Sequence, residues 1–389
     1  MSGLDVRPAR KHLIFLAAGM FVTGCDNYIV AGLLPGLGAT LGASAAAVGQ
    51  GVTAFDLTYV VSAPLFAVLL AGRPARAVLL AALTVFGLGN LLTLAAGGLP
   101  EYLLGRGIAG LGAGILSPIV VAVTTAVSDP GSRGRVLSII WGANSAGAVA
   151  GVPFGLWLAG LFGWQAAIWL ILLLTAIAAL GIATRLPVVP VVAPPSLRER
   201  MLIMTDRRVL AVLGVTLITT TAGLGLYTYA APVTLESGAA HSVPAVLWAW
   251  SIGGLAGSTS IGYLADRTGR PRAVLAGVLA LLGTAFLLLP VLGQIPVLGL
   301  LPYALWGFAG WAIVTPIQTI LIGIRPDQPA TVAALCGSAV GLGGAMGSTL
   351  GGLALAAGLS APSLPFAAAG VVVIALFWQL SLAARSRES

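Results

Sequence analysis

Apolar stretches of about 20 residues or more recur along the whole chain, and each is long enough to cross a hydrocarbon core of ~30 Å. They fall near residues 12–34, 47–71, 76–97, 101–126, 135–161, 165–186, 209–234, 243–265, 273–291, 297–323, 328–357 and 363–384. The pattern predicts an all-α membrane protein with twelve transmembrane helices. No small-residue cleavage site follows the first stretch, which reads as a retained helix rather than a signal peptide.

One interruption differs from the others. Residues 187–200 bring Pro187, Pro190, Pro194 and Pro195, then Arg198, Glu199 and Arg200, close to the chain midpoint. Such a segment reads as a linker. The expected organisation is a six-helix bundle over 1–186, a cytoplasmic linker over 187–208 and a second six-helix bundle over 209–389. Internal repetition supports two halves. Arg76-Ala77-Val78-Leu79 recurs as Arg272-Ala273-Val274-Leu275, and Gly147, Gly151 and Gly155 recur as Gly343, Gly347 and Gly351, both displaced by 196 residues. Ser117-Pro118 matches Thr315-Pro316, and Pro35 matches Pro232, at nearly the same displacement. Several matches at one displacement, in corresponding spans, point to two parallel six-helix repeats, an architecture that transporters use with a site near the midplane.

Composition agrees with a lipid-facing surface. Charged residues make up only 8% of the chain and apolar ones 58%, whereas soluble domains carry about 25% charged residues. The 53 glycines fit helices that pack closely in a bilayer. The net charge of +8 does not point to nucleic acid, because its distribution has another cause. Arg7, Arg10 and Lys11 precede the first span; Arg73 and Arg76 follow the second; Arg133 and Arg135 follow the fourth. Arg185, Arg198, Arg200, Arg207 and Arg208 follow the sixth; Arg267, Arg270 and Arg272 the eighth; Arg325 the tenth; Arg385 and Arg387 the twelfth. All lie on one side of the expected membrane, and the opposite loops hold Glu101, Glu236 and His241 instead. The positive-inside rule then predicts cytoplasmic termini and an even span count, in a bacterial cytoplasmic (inner) membrane. The basic 185–208 loop could also meet anionic lipid, though orientation alone accounts for it. Cys25 and Cys336 lie in apolar segments and read as small buried hydrophobes.

At this point the chain resembles the major facilitator superfamily, in its twelve-span drug:proton antiporter branch, with exporters of the chloramphenicol- and bicyclomycin-resistance and arabinose-efflux types. Four stretches carry the resemblance. Asp26-Asn27-Tyr28-Ile29-Val30-Ala31-Gly32-Leu33-Leu34-Pro35 looks like the branch's first-helix motif. Gly262-Tyr263-Leu264-Ala265-Asp266-Arg267-Thr268-Gly269-Arg270 looks like the gating-loop motif. Leu104-Gly105-Arg106-Gly107-Ile108-Ala109-Gly110 looks like the motif with an intramembrane arginine. Gly147 to Gly155, with Gly151 and Pro153, looks like the Gly/Pro motif of exporters. The resemblance implies gating or conformational roles for Gly147, Gly151, Pro153, Gly155, Asp266, Arg267 and Arg270. The likeness is imperfect. Leu69-Leu70-Ala71-Gly72-Arg73 lacks the acidic residue expected of a first-half gating loop, Gln165 stands where relatives often have Arg, and Asp56 belongs to none of these motifs.

Only Asp26, Asp56 and Arg106 place a strong charge well inside a span. A charge at the bilayer centre costs about 2.5–3.5 kcal/mol on insertion scales, so each should face a partner or a water-filled cavity. A carboxylate balanced between desolvation and a nearby cation can take and release a proton as the cavity changes sides. Asp26 is the first candidate for proton coupling; the alternative is a carboxylate that only pairs to hold helices together. Asp56 is a second candidate, for the proton or for a cationic substrate. Arg106 either biases the carboxylates or binds an anionic group; alternatively it bonds backbone carbonyls across helices. The glycine faces of the fifth and eleventh spans read as close-packing surfaces that also let the halves rock. The second half holds no deep charge and is richer in aromatic and hydroxyl groups, among them Thr219, Thr220, Thr221, Tyr229, Trp248, Trp250, Tyr303 and Trp311. Many of the aromatics serve equally well as interfacial anchors. In the related fold the first, fifth, seventh and tenth spans line the cavity, which singles out Tyr28, Asn144, Tyr227, Trp306 and Gln318 as substrate-binding candidates.

The leading expectation is a monomeric, proton-coupled exporter of small lipophilic compounds, neutral or cationic, such as antibiotics. It would use the proton gradient in place of a cofactor. The rivals are a proton-coupled importer of a small metabolite and, from another class, a non-transporting membrane sensor or interaction protein. No enzyme is expected, since no catalytic constellation is present. His12 and His241 do not form a metal pair, and there is no Gly-Lys-Ser/Thr loop for ATP.

Overall fold

The computed structural model describes residues 9–128, 133–186 and 203–388. Among them the chain forms twelve helical rods and no strand. The first four are α1 (Ala9–Leu41), α2 (Ala45–Leu69), α3 (Ala75–Ala95) and α4 (Leu99–Val127). Rod α5 has three parts: Arg133–Ala146, a wide π turn at Gly147–Gly151, and Val152–Phe162. Then come α6 (Trp164–Arg185), α7 (Arg207–Thr228, continued by Ala230–Glu236), α8 (Val243–Thr268) and α9 (Pro271–Leu292). The last three are α10 (Leu301–Ala312 with Val314–Ile324), α11 (Pro329–Ala356) and α12 (Leu364–Glu388). Ten of these rods are long and apolar enough to cross a membrane over their described residues. The other two, α2 and α8, run for 25 and 26 residues. Large apolar side chains such as Phe162, Leu180, Ile252 and Phe377 are more than half exposed, as lipid-facing helices require.

The rods form two compact units. The first holds residues 9–43 and 54–186; the second holds 44–53 and 203–388. Residues 187–202 of the expected linker lie outside the described residues. Rod α7 begins at Arg207, earlier than the apolar pattern places it, because Asp206 caps it. The Asp206 carboxylate accepts the Arg208 backbone N–H at 2.9 Å. The same carboxylate accepts from Arg325 Nε at 3.0 Å and Nη2 at 2.9 Å, which ties the start of α7 to the end of α10.

Within the first unit α3 packs along α4, where Gly89 and Gly105 leave no room for a side chain. Rod α2 lies on α4 across Gly110 and Gly114, and Thr58 Oγ1 donates to the Gly107 carbonyl at 2.8 Å. Towards one end the unit fills with Leu16, Met20, Leu79, Leu116 and Val120. Gly163 turns the chain from α5 into α6 at φ 85° and ψ 163°, a conformation open chiefly to glycine.

The repeated glycine faces meet repeated partners. Gly147, Gly151 and Gly155 of α5 lie against Phe21, Cys25 and Ile29 of α1. In the second unit Gly343 and Gly347 of α11 lie against Leu217, Thr221 and Gly225 of α7, and Gly351 lies against Tyr229. Leu217, Thr221 and Gly225 stand at the 196-residue displacement from Phe21, Cys25 and Ile29, so the contact itself recurs. Without an aqueous hydrophobic drive between helices, close backbone approach of this kind is a main source of cohesion. Also in the second unit, Tyr229 Oη donates to the Ser348 carbonyl at 2.7 Å, and Thr53 Oγ1 meets Ser348 Oγ at 2.7 Å.

Three rods bend, each about four residues before a proline. Pro153 follows the π turn, Pro232 follows the break at Thr228–Tyr229, and Pro316 follows the break at Ala312–Ile313. A proline removes a donor from the helical ladder and its ring crowds the carbonyl four residues back. Pro35 and Pro118, the repeat mates of Pro232 and Pro316, are carried inside unbroken rods. The two halves of the repeat therefore differ in backbone as well as in charge.

A Cβ on Gly347 would overlap the Thr221 carbonyl and crowd Gly225 to 2.7 Å, while one on Gly370 would meet open space. Gly347→Ala is expected to destabilise the purified protein by about 1–3 kcal/mol. Gly370→Ala should stay within about 0.5 kcal/mol of wild type. Thermal unfolding in detergent compares the two, and equal melting temperatures would remove the close-packing account.

Candidate functional site

The three deep charges predicted from the sequence come together in the first unit. Asp26 projects from α1, Asp56 from α2 and Arg106 from α4. Asp26 and Arg106 are fully buried and Asp56 is 6% exposed. Arg106 Nη1 donates to both carboxylate oxygens of Asp26, at 2.9 and 3.1 Å, and Nη2 reaches the Asp26 backbone carbonyl at 3.4 Å. The guanidinium lies over the Phe55 ring with Cζ 4.6 Å from its centroid, a cation–π contact from α2. Asn90 of α3 stands beside Asp26, and its Nδ2 donates to the Phe86 carbonyl at 3.2 Å. Three rods thus supply the pair and its ring contact, with Asn90 of α3 alongside. Gly105 and Gly110 flank Arg106 and let α4 approach α3 and α2 closely enough for short side chains to reach it.

Asp56 is placed differently. Among the described residues its carboxylate takes part in no hydrogen bond or ion pair. It faces Arg106 from α4 and Tyr28 from α1, with Tyr59 one turn along its own helix. Arg106 Nε, also buried, finds no acceptor among the described residues. The cluster therefore contains two carboxylates and one guanidinium, with the guanidinium's hydrogen bonds directed to Asp26.

The remaining candidates sort by unit. Tyr28 is half-buried beside the charge cluster. Asn144, on α5, donates from Nδ2 to the Met20 carbonyl at 3.0 Å and reaches Thr23 Oγ1 at 3.4 Å, so its amide ties α5 to α1. In the second unit Tyr227 and Trp306 join Trp250 in one aromatic cluster. The Tyr227 and Trp250 centroids are 4.4 Å apart, and Trp306 stands edge-on to Trp250 at 6.3 Å and to Phe286 at 5.5 Å. Trp311 adds a further edge contact to Trp250 at 6.0 Å. Gln318 is half-buried on the second part of α10, apart from these ring contacts. Thr219, Thr220 and Thr221 spend their hydroxyls on carbonyls of their own helix. In the last turns of α8, Arg267 Nη1 reaches Tyr263 Oη at 3.5 Å, and Arg270 follows in the loop before α9; the Asp266 side chain lies outside the described residues. The structure adds Asn90, Phe55 and Phe286, which the sequence pattern does not single out. Asn90 has a signal, a strongly polar amide inside an apolar span; Phe55 and Phe286 have none that sets them apart from core residues.

Twelve apolar rods with ionised side chains buried among them define a multi-pass membrane transporter. The family model described as Major Facilitator Superfamily matches residues 16–348, and the chain belongs to that superfamily. It is therefore a transporter and not an enzyme. It is 29% identical over 371 residues to the uncharacterized MFS-type transporter YbcL of Bacillus subtilis (strain 168), covering 95% of this chain and 94% of that one. It is 28% identical over 345 residues to a chloramphenicol resistance protein of Streptomyces lividans, covering 86% of each. The crystal structure of a mutant of the nucleoside transporter NupG shares the fold with a TM-score of 0.77 at 14% identity, over 96% of this chain and 99% of that one.

Removing the Asp26 charge should leave Arg106 buried without its hydrogen-bonded counter-charge. Asp26→Asn is expected to cost about 3–5 kcal/mol of stability, and the double variant Asp26→Asn/Arg106→Gln less than the two single changes together. Thermal unfolding of the purified variants tests this; additive losses would mean the pair is not coupled.

Proposed function

We propose that the chain is a proton-coupled exporter of small lipophilic compounds, neutral or cationic, working by alternating access. The observation that carries this reading is the buried cluster of Asp26, Asp56 and Arg106 inside an otherwise apolar bundle. Ionisable groups within a membrane are costly to keep and mark ion or proton pathways. A proton relay needs carboxylates that change charge state beside a fixed cation, and this cluster has both. The aromatic cluster of Tyr227, Trp250 and Trp306 offers π faces and apolar area suited to lipophilic compounds. The chloramphenicol resistance relative supports export of antibiotics as one branch of the substrate range. The one-sided distribution of Lys and Arg supports a bacterial cytoplasmic membrane with both termini inside. The proton gradient would supply the energy, with no cofactor, and a monomer would suffice.

The test is transport in proteoliposomes with and without an imposed pH gradient, preceded by a growth and accumulation screen in a host lacking its own efflux pumps. Expression should lower accumulation of at least one compound, and collapsing the proton gradient should raise it again. An importer would respond in the opposite sense. Asp26→Asn and Asp56→Asn should each lower gradient-driven transport by about 10²-fold or more, the scale of a lost proton-transfer group. Full gradient-driven transport by both variants would exclude these carboxylates as the coupling groups.

A further inference from the structure

Rods α9 and α10 form a hairpin in which residues 273–324 include no Asp, Glu, Lys, Arg or His. Its turn, residues 293–300, lies at the end of both rods remote from Arg272 and Arg325. Ile295, Pro296, Val297 and Leu298 are all exposed there. They continue the exposed apolar faces that α9 presents at Leu287 and Val291 and α10 at Leu301. Four consecutive apolar residues exposed at a loop tip are out of place in water. The backbone of the turn is closed on itself. The Gly293 N–H donates to the Leu289 carbonyl at 3.0 Å, Ile295 N–H to Leu292 at 2.9 Å, Gly299 N–H to Ile295 at 2.8 Å and Leu300 N–H to Val297 at 3.2 Å. Pro296 has no N–H to satisfy. The tightest closure runs from Leu298 N–H to the Pro296 carbonyl at 2.8 Å and spans a single residue. It holds Val297 at φ 66° and ψ −54°, the rare and strained form of the γ-turn. Val297 is the one non-glycine residue with positive φ among the described residues, and it is β-branched and 78% exposed. In water such a closure gains little, because the freed peptide groups would bond to solvent. Against lipid it hides a donor and an acceptor that nothing else there could satisfy.

We propose that residues 295–298 are a membrane anchor, inserted at the boundary between headgroups and acyl chains of the leaflet away from the arginines, the outer one by charge distribution. The partner is the lipid itself. A hairpin without charge fits the acyl boundary and has nothing to offer an anionic headgroup. The one polar side chain of the turn is directed elsewhere, since Gln294 Nε2 donates to the Ser237 carbonyl at 3.2 Å. The Ala240 N–H donates to the Gly293 carbonyl at 3.1 Å, so the loop after α7 hangs on the same turn. Glu236, the last residue of α7, accepts the Ala361 N–H at 3.4 Å. The short part of α7 beyond its break, Ala230–Glu236, is thereby tied to the bilayer surface through the anchor. This surface serves the second unit whatever the cargo is.

The experiment uses the full chain, a single copy in each phosphatidylcholine nanodisc, as the variants Ile295→Cys and Val297→Cys. Ser360→Cys, exposed in the loop between α11 and α12, is the reference. Cys25 and Cys336 are buried, and unsubstituted protein serves as the labelling blank. A fluorophore on residue 295 or 297 should be quenched by phosphatidylcholine brominated on its upper acyl carbons and shielded from iodide in the water. On residue 360 it should be quenched by iodide instead. Because a fluorophore can draw a loop into lipid, the bare thiols are also timed against a charged, membrane-impermeant thiol reagent. Ile295→Cys and Val297→Cys should react about tenfold or more slowly than Ser360→Cys, since the reactive species is the thiolate. Iodide quenching and thiol reaction at residues 295 and 297 as fast as at 360 would overturn the anchor. So would shielding from iodide and brominated lipid alike, which would mean that protein covers the tip. Ile295 lies outside the strained position, so its variant decides the matter should Val297→Cys fail to fold.

Discussion

The buried ion pair between Asp26 and Arg106 sets the terms for the first unit. An arginine with no solvent exposure, inside a rod that otherwise meets apolar groups, is tolerable only when its charge is matched and its donors are directed. That requirement fixes the spacing of α1 and α4, because an aspartate is short and its carboxylate must come within about 3 Å of the guanidinium. It also recruits α2 through the Phe55 ring. The glycines beside Arg106 follow from the same demand. Gly105 meets Thr93 and Gly110 meets Phe55 so closely that a methyl group at either would push apart the helices that supply the partners. Charge pairing and small-residue packing are one constraint here, since neither is satisfied without the other.

Among its described residues, the second unit meets the problem of cohesion without a buried charge. Its α7 and α11 repeat the glycine contact of α1 and α5, at the same displacement along the chain, and so inherit the same close approach. Where the first unit places charges, the second places rings: Trp306 stands edge-on to Trp250 and Phe286, and Tyr227 lies tilted against Trp250. Its backbone gives way at Thr228–Tyr229 and at Ala312–Ile313, while the matching prolines of the first unit leave α1 and α4 unbroken. One repeated pattern of spans thus supports a unit with buried charges, interrupted only in α5, and an aromatic unit interrupted in α7 and α10. Freed carbonyls at such kinks are tolerated in a membrane when neighbouring groups re-satisfy them.

Much of this was legible in the sequence, because in a membrane the hydrophobic pattern is close to the fold itself. The twelve rods, the repeat displacement, the glycine faces and the three deep charges all follow from positions in the chain. The partnership between Asp26 and Arg106 did not, since three charges in three spans allow several pairings and only the packing of α1 on α4 selects one. Asn144 shows the same limit. A polar residue in the fifth span suggests a ligand to substrate, yet its amide is spent on the Met20 carbonyl of α1. The link from Asp206 to Arg325 was hidden for the opposite reason. Both residues read as ordinary members of polar loops, and 119 residues separate them. Deep charges announce themselves by their cost, whereas surface pairs and tertiary ties depend on geometry that periodicity does not encode.

The two carboxylates of the first unit call for different explanations. Asp26 can be understood without invoking transport, because its carboxylate accepts both hydrogen bonds from Arg106 Nη1 and so ties α1 to α4. Asp56 cannot be understood that way. It adds a second negative charge where one cation is already engaged, and it gives the packing no hydrogen bond among the described residues in return. A neutral residue of similar size would fold at least as well, since an uncompensated charge in an apolar setting only subtracts from stability. Its presence therefore points to something that comes and goes. In the proposed proton-coupled cycle that partner is a proton.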